Sequence, residues 1–269
     1  MSYNESFKSL FRKGISYFTS LFAPAEDTNP RILCYHGIDP NPKNPWCISP
    51  IAFKQQMHML KEHYNPITID EAVEYIQGKK PLLPKSVAIT FDDGFADSFI
   101  YADPILKEYS ISSAVFIITQ FTDPNYIEGS SLHAKRQHLS WDQLKKMRDK
   151  GWIIGSHTRS HPTLSSLSIN EIESELRLSK EILEQKLEVS IKYLAYPYGT
   201  PHTVSEEAKN VAKKTDYRAA FMNILGHLSS QSDLFSIPRC KVLRKDSLRV
   251  VQASLNGHLD LWKKFESLK

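Results

Sequence analysis

The chain has 269 residues, 41% hydrophobic and 24% charged, an ordinary globular composition with ample length for one core. A formal net charge of +4 gives no ground for a nucleic-acid partner. Cys34, Cys47 and Cys240 are isolated and odd in number, which excludes a disulfide framework or a Cys-type zinc site; Cys34 reads as a small core residue, and a reduced, cytoplasmic setting fits. No run is long and apolar enough to span a bilayer, and a secretory signal pattern is not expected at the N-terminus.

Phe7, Leu10, Phe11, Ile15, Phe18, Leu21 and Phe22 recur at helical spacing with Lys8, Arg12 and Lys13 between them. This predicts a basic amphipathic helix. It either packs against protein or lies on an anionic membrane surface through residues 7–22, as at the inner face of a membrane. A polar linker reaches residue 29, so the expected division is 1–29 for helix and linker and 30–269 for one catalytic domain. Arg31 to Tyr35 is an apolar strand ending in His36-Gly37. Asp39 to Pro50 is a proline-rich loop containing Trp46. Ser49-Pro50 opens a helix running to Tyr64, and Asp70 is the expected cap of a shorter one ending at Gly78.

Val87 to Phe91 is a buried, β-branched strand that ends in Asp92-Asp93-Gly94. Two adjacent carboxylates raise each other's pKa unless a cation or donor compensates, so a metal ion, or one Asp as ligand and one as base, would explain them. A helix near Asp97–Glu108 and a strand over Ser113–Thr119 follow. Phe121–His138 is a polar, aromatic-bearing loop in which Tyr126, like Trp46, is a candidate to stack on a sugar face, and His133 and His138 read as solvated; Trp141 reads as core. Ser140 to Gln143 is a capping box, Trp152–Ser156 a strand, Asn170 the expected cap of a long helix, and Ile191–Tyr196 a strand. A helix over Val204–Lys214, strands over Tyr217–Met222 and Cys240–Leu243, and a helix starting at Asp246 complete the order.

Strands alternating with helices imply βα units around a parallel sheet, with chemistry at the strand ends. Past the strand at 152–156, His157 and His161 lie four residues apart, close enough for one helical turn or a tight loop to aim both at one point. With an Asp they form a set suited to Zn²⁺ or another divalent transition metal. Tyr196-Pro197-Tyr198-Gly199 is a third strand-end turn, able to present a backbone N–H.

Thr90-Phe91-Asp92-Asp93-Gly94, His157-Thr158-Arg159-Ser160-His161-Pro162 and Tyr196-Pro197-Tyr198-Gly199, in this order, resemble the first three motifs of the polysaccharide deacetylase family, carbohydrate esterase family 4 with the NodB-homology domain. The resemblance runs from about Arg31 to Arg239. It implies a distorted, incomplete (β/α)7 barrel and a metal-dependent hydrolase that removes acetyl from an N-acetylated glycan or glycolipid. It implies Asp93, His157 and His161 as ligands of one divalent metal, Zn²⁺ first and Co²⁺, Ni²⁺ or Mn²⁺ as alternatives. Asp92 would then be the general base and the Tyr198 backbone N–H the oxyanion donor.

The family's general acid usually follows a late strand; here His258 follows a helical stretch, whereas His36 ends an early strand, as in the poly-N-acetylglucosamine subgroup. His36 is therefore the expected acid and His258 the alternative. Ala195 stands where the family often has an arginine that orients the base, and Arg239 is the expected substitute. The family's fourth motif has no counterpart. Two other readings remain: a catalytically silent carbohydrate-binding relative, and a phosphoesterase, which would want more ligands or a phosphate grip than this single set offers.

Overall fold

The computed structural model describes residues 26–123 and 136–260. The amphipathic stretch 7–22, Tyr126 and His133 lie outside them. No described helix is long and apolar enough to cross a membrane.

Seven parallel strands form the frame: β1 (Arg31–Tyr35), β5 (Ser86–Phe91), β6 (Ala114–Ile117), β7 (Ile153–Ser156), β8 (Tyr193–Ala195), β9 (Ala219–Phe221) and β10 (Cys240–Lys241). Their order is β10-β1-β5-β6-β7-β8-β9, and β4 (Asn65–Ile67) pairs with β5 as a side branch. A parallel bridge from Phe221 to Ile237 brings β9 toward the segment entering β10, so the sheet curls into an incomplete (β/α)7 barrel. A separate pair, β2 (Gly37–Ile38) with β3 (Cys47–Ile48), gives order to the proline-rich loop.

Buried strands of this kind carry apolar residues on both faces, and the two-residue repeat sorts them. Leu33, Val87, Ile89, Val115, Ile154, Leu194 and Ala220 join the outer core under the helices. Ile32, Ala88, Ala114, Phe116, Tyr193, Ala195, Ala219 and Phe221 form the barrel interior. The same alternation, continued toward the C-terminal ends, sends Cys34, His36, Thr90, Asp92, His157 and Arg239 inward. The small residues at 88, 114, 195 and 219 leave room for Phe116, Phe221 and the Arg239 guanidinium that lies over both rings.

The outer layer comprises α1 (Pro50–His63), α2 (Ile69–Ile76), α3 (Asp103–Tyr109), α4 (Trp141–Asp149), α5 (Ile169–Leu187), α6 (Glu206–Lys214) and α7 (Leu248–Leu255). Two caps differ from expectation. Thr68, not Asp70, caps α2 through a box with Glu71, and Ser168, not Asn170, caps α5 through a box with Glu171. Asp70 instead accepts a hydrogen bond from the Tyr193 hydroxyl. Ser247 precedes α7, and Asp246 accepts from the Leu243 N–H at 2.9 Å. The helix expected from Asp97 begins as a π-helical turn, Ser98–Ala102, before α3.

Helix α2 packs Ile69, Ala72, Val73 and Ile76 against the first inward residues of the strands, closing the barrel opposite the strand C-termini. At that closed end Arg31 holds Asp260 through two contacts of 2.8 and 2.7 Å and Asp27 through one of 2.5 Å. Asp27, His227 and Asp260 converge there, but the Arg31 guanidinium already pairs with both carboxylates, so the cluster reads as an ion-pair network rather than a cation site.

Candidate active site

The open end of the barrel collects the strand-end motifs. Asp93 follows β5, while His157 and His161 lie on the loop after β7. Asp93 Oδ1 stands 3.4 Å from His157 Nε2 and 3.6 Å from His161 Nε2. The two histidines reach one point through a bent loop, not a helical turn. That loop is pinned by Glu175 of α5, which accepts from the N–H groups of Arg159 and Ser160 and from the Ser160 hydroxyl. Thr158 Oγ1 accepts from the His161 N–H at 3.0 Å.

His157 Nδ1 donates to the Ala195 carbonyl at 2.7 Å, which fixes the tautomer and leaves the Nε2 lone pair facing Asp93. Ligands about 2.1 Å from a tetrahedral cation stand roughly 3.4 Å from one another, which matches the Asp93–histidine separations. Asp93, His157 and His161 therefore fit a divalent metal. Burial would push the Asp93 carboxyl up, but His157, His36 and His161 outweigh it and hold the carboxyl far below the usual range.

The backbone is strained here. Of eight non-glycine residues with positive φ among those described, Asp93, Thr158, His161 and Tyr198 belong to these loops. Each such conformation costs on the order of 1–3 kcal/mol and persists only where surrounding contacts enforce it.

Asp92 points inward beside Asp93. Arg239 forks onto it, with Nη1 to Oδ1 and Nη2 to Oδ2 both at 2.7 Å, and both side chains are buried. Arg239 also donates from Nε to the Met222 carbonyl and from Nη1 to Thr90 Oγ1. Burial alone would raise the Asp92 carboxyl; Arg239, His157 and His36 together outweigh it and hold the group down to about 2. Ala195 is the last inward residue of β8, and the guanidinium enters the same interior from Arg239, immediately before β10.

His36 ends β1 beside this pair. A ring nitrogen of His36, Cys34 Sγ and an Asp92 oxygen all lie within 4.8 Å of one another. His36 Nδ1 is buried and has no hydrogen-bond partner among the described residues. Trp46, carried by the β2–β3 loop, packs on the His36 ring at 5.1 Å between centroids. His258 is elsewhere: it follows α7 next to Gly257, where a side chain would run into Asp27 and Arg31 at the closed end of the barrel. Trp141 opens α4 and packs against the outer core.

Tyr198 adopts φ +60° in the turn after β8, and its side chain is 52% exposed. Its ring meets His161 edge-on at 4.9 Å. Its N–H donates to no group among the described residues.

His138, which the sequence suggests is solvated, is instead half-buried beside the Asp93 loop. Its Nδ1 donates to the Asp93 carbonyl oxygen at 3.1 Å, and its ring lies between Phe95 and Phe121, 4.9 Å from each. Backbone bonds from Ala96 to Gln137 and from Leu139 to Gly94 lash this segment to the loop that carries Asp93. Cys34 is buried, as expected of a small core residue, but it also makes a contact that the sequence does not indicate: its thiol donates to Asp92 Oδ2 at 3.3 Å.

The sequence profile described as polysaccharide deacetylase matches residues 79–220. YxkH of Bacillus subtilis, which is grouped with such enzymes, is 31% identical over 213 residues, covering 78% of this chain and 70% of that protein. The chain belongs to the polysaccharide deacetylase family. It is also 31% identical over 205 residues to the poly-β-1,6-N-acetyl-D-glucosamine N-deacetylase of Staphylococcus epidermidis, covering 71% of this chain and 66% of the relative. The solved structure of the Streptococcus pyogenes deacetylase PplD in complex with acetate superposes with a TM-score of 0.74 at 25% identity, over 84% of this chain and 98% of that one.

Proposed function

We propose that this protein is a metal-dependent N-deacetylase of an N-acetylglucosamine-type surface polysaccharide or its lipid-linked precursor. The observation that carries the reading is the pair of adjacent carboxylates with separate partners: Asp93 faces two imidazoles, and Asp92 is held by a guanidinium. That division of labour suits hydrolysis of an amide, which needs an activated water, an oxyanion donor and a proton for the leaving amine. A divalent cation bound by Asp93, His157 and His161 would polarise the acetyl carbonyl and lower the pKa of a nearby water.

The chain's own groups divide the remaining work. Asp92 takes the proton from the attacking water, and Arg239 keeps that carboxylate ionised and aimed. The Tyr198 N–H donates to the oxyanion. His36 delivers a proton to the amine as the C–N bond breaks. The arginine missing before the Pro197 turn and the choice of acid are what keep a silent carbohydrate-binding relative as the alternative; the Arg239 guanidinium on Asp92 speaks against the first of these grounds.

The direct test is acetate release from oligomers of β-1,6-linked N-acetylglucosamine by metal-replete protein. Release is expected; a protein that loads metal yet frees no acetate from any N-acetylated sugar would make the silent relative the better reading. If deletion of residues 1–22 abolishes flotation with anionic vesicles, the lipid-linked precursor becomes the favoured substrate.

Two variants separate the roles. His36→Ala is expected to lose about 100-fold or more on the amide substrate. It should keep most of its activity on an aryl acetate ester, whose phenolate leaves without protonation. Equal loss on both would mean that His36 is not the acid. Gly199→Ala places a side chain at φ +60° and 2.6 Å from the Asn223 nitrogen. The turn must shift, at a cost of about 1–3 kcal/mol, so oxyanion stabilisation should fall with metal content unchanged. A Gly199→Ala protein with wild-type kcat would show that the turn is not part of the site.

A further inference from the structure

The reading of Cys34 as a small core residue leaves the shorter of its two polar contacts unexplained: the Tyr35 carbonyl lies 3.8 Å from the sulfur, an Asp92 oxygen closer. Cys34 is fully buried on β1, paired in register with Thr90, and turned into the barrel. Its sulfur lies 3.3 Å from Asp92 Oδ2. A carboxylate offers about four lone-pair sites, two on each oxygen. At Asp92, Oδ2 accepts from Arg239 Nη2 and from the Cys34 thiol, so both of its sites are taken. Oδ1 accepts from Arg239 Nη1 alone among the described residues, so one site stays open.

We propose that Cys34 is a positioning residue for the hydrolytic reaction, its thiol saturating Asp92 Oδ2 and leaving Oδ1 as the oxygen that takes the proton. The inference rests on the reading of Asp92 as the base. In that step the water's O–H bond breaks as the Oδ1–H bond forms, and the electron pair stays on the attacking oxygen.

The chemistry of the thiol suits this task. Burial pushes the Cys34 thiol well up, so it keeps its proton and acts as a neutral donor. A charged donor in its place would compete with Arg239 and weaken the base. The convergence of Cys34, His36 and Asp92 is not a second metal site, because the Arg239 guanidinium occupies the Asp92 carboxylate that such a cation would need. Cys240, equally buried, shows the contrast: its nearest acceptors are carbonyls at 3.9 and 4.0 Å.

Three variants of Cys34 and one spectrum test the assignment. Cys34→Ala and Cys34→Val remove the donor, one by shrinking the side chain and one by filling the space. Cys34→Ser keeps a donor. Loss of one hydrogen bond to a charged group should lower kcat about tenfold in the alanine and valine variants, with KM and metal content unchanged, and serine should recover most of it. Kinetics that follow side-chain size instead, with valine matching wild type and serine no better than alanine, would overturn the proposal.

The S–H stretching band of Cys34, taken as the infrared difference between wild type and Cys34→Ala, gives a readout that needs no turnover. It should lie below the band of Cys240 and rise in Asp92→Asn. A band at the position of an unbonded thiol, unmoved by Asp92→Asn, would refute the hydrogen bond. If wild type frees no acetate but the shifted band is present, the deacetylase reading fails while the contact between Cys34 and Asp92 stands.

Discussion

Asp92→Asn is expected to keep its metal and its fold and to lose acetate release by about 10²–10⁴-fold, the contribution of a well-placed general base. The substitution preserves shape, and the amide can still accept from one arm of Arg239. What it removes is the negative charge and the proton-accepting oxygen. Metal should stay because the ligand set, Asp93 with His157 and His161, does not use Asp92. Steady-state kinetics beside elemental analysis would measure both. An Asp92→Asn protein within a few-fold of wild type would mean that another group activates the water, and loss of metal would mean that the two aspartates do not divide the work.

Arg239→Leu carries the second large effect, and it falls on stability as well as rate. The Arg239–Asp92 pair is buried on both sides. Removing one member of a buried pair leaves an uncompensated charge, at a cost of about 3–5 kcal/mol. For a chain of this size that corresponds to a melting point lower by on the order of 10 °C. The sign with pH follows from the carboxyl. In wild type Asp92 is held down to about 2, so its stabilising contribution is complete above the ordinary carboxylate range and fades only as pH falls toward that value. Without Arg239, burial dominates and the carboxyl rises, so the variant should be weakest at neutral pH and recover part of its deficit in mild acid. The double variant Arg239→Leu with Asp92→Leu should melt above the single one, because no buried charge is then left alone. A double variant less stable than the single would show that the pair is not what the guanidinium is there to serve.

The parts of the site visible in sequence are those in which a strand and its chemistry are contiguous. Val87 to Gly94 is the clearest: an apolar strand runs directly into two carboxylates, and inward alternation places Asp92 without further information. His157 and His161 are visible for the same reason, though not the loop that aims them, which depends on Glu175 across the barrel wall. Two helix caps are ambiguous rather than hidden. Thr68 with Glu71 and Ser168 with Glu171 both carry the box spacing, but Asp70 and Asn170 are also strong cap types and lie two residues further on. Cys34 and His138 are not legible. Their contacts span 58 and 45 residues of sequence; the pairing of β1 with β5 brings Cys34 to Asp92, and the backbone bonds of the 137–139 segment bring His138 to Asp93. The π-helical turn at Ser98–Ala102 likewise carries no local signal.

The central claim is that one divalent metal, held by Asp93, His157 and His161, is required for removal of acetyl from an N-acetylated sugar. It is tested most directly by measuring metal content and acetate release on the same samples of wild type and Asp93→Ala after metal loading. One metal per chain with acetate release in wild type, and loss of both in Asp93→Ala, is the predicted result. Wild-type protein that holds no metal when replete, or an Asp93→Ala protein that still binds metal and turns over, would contradict it.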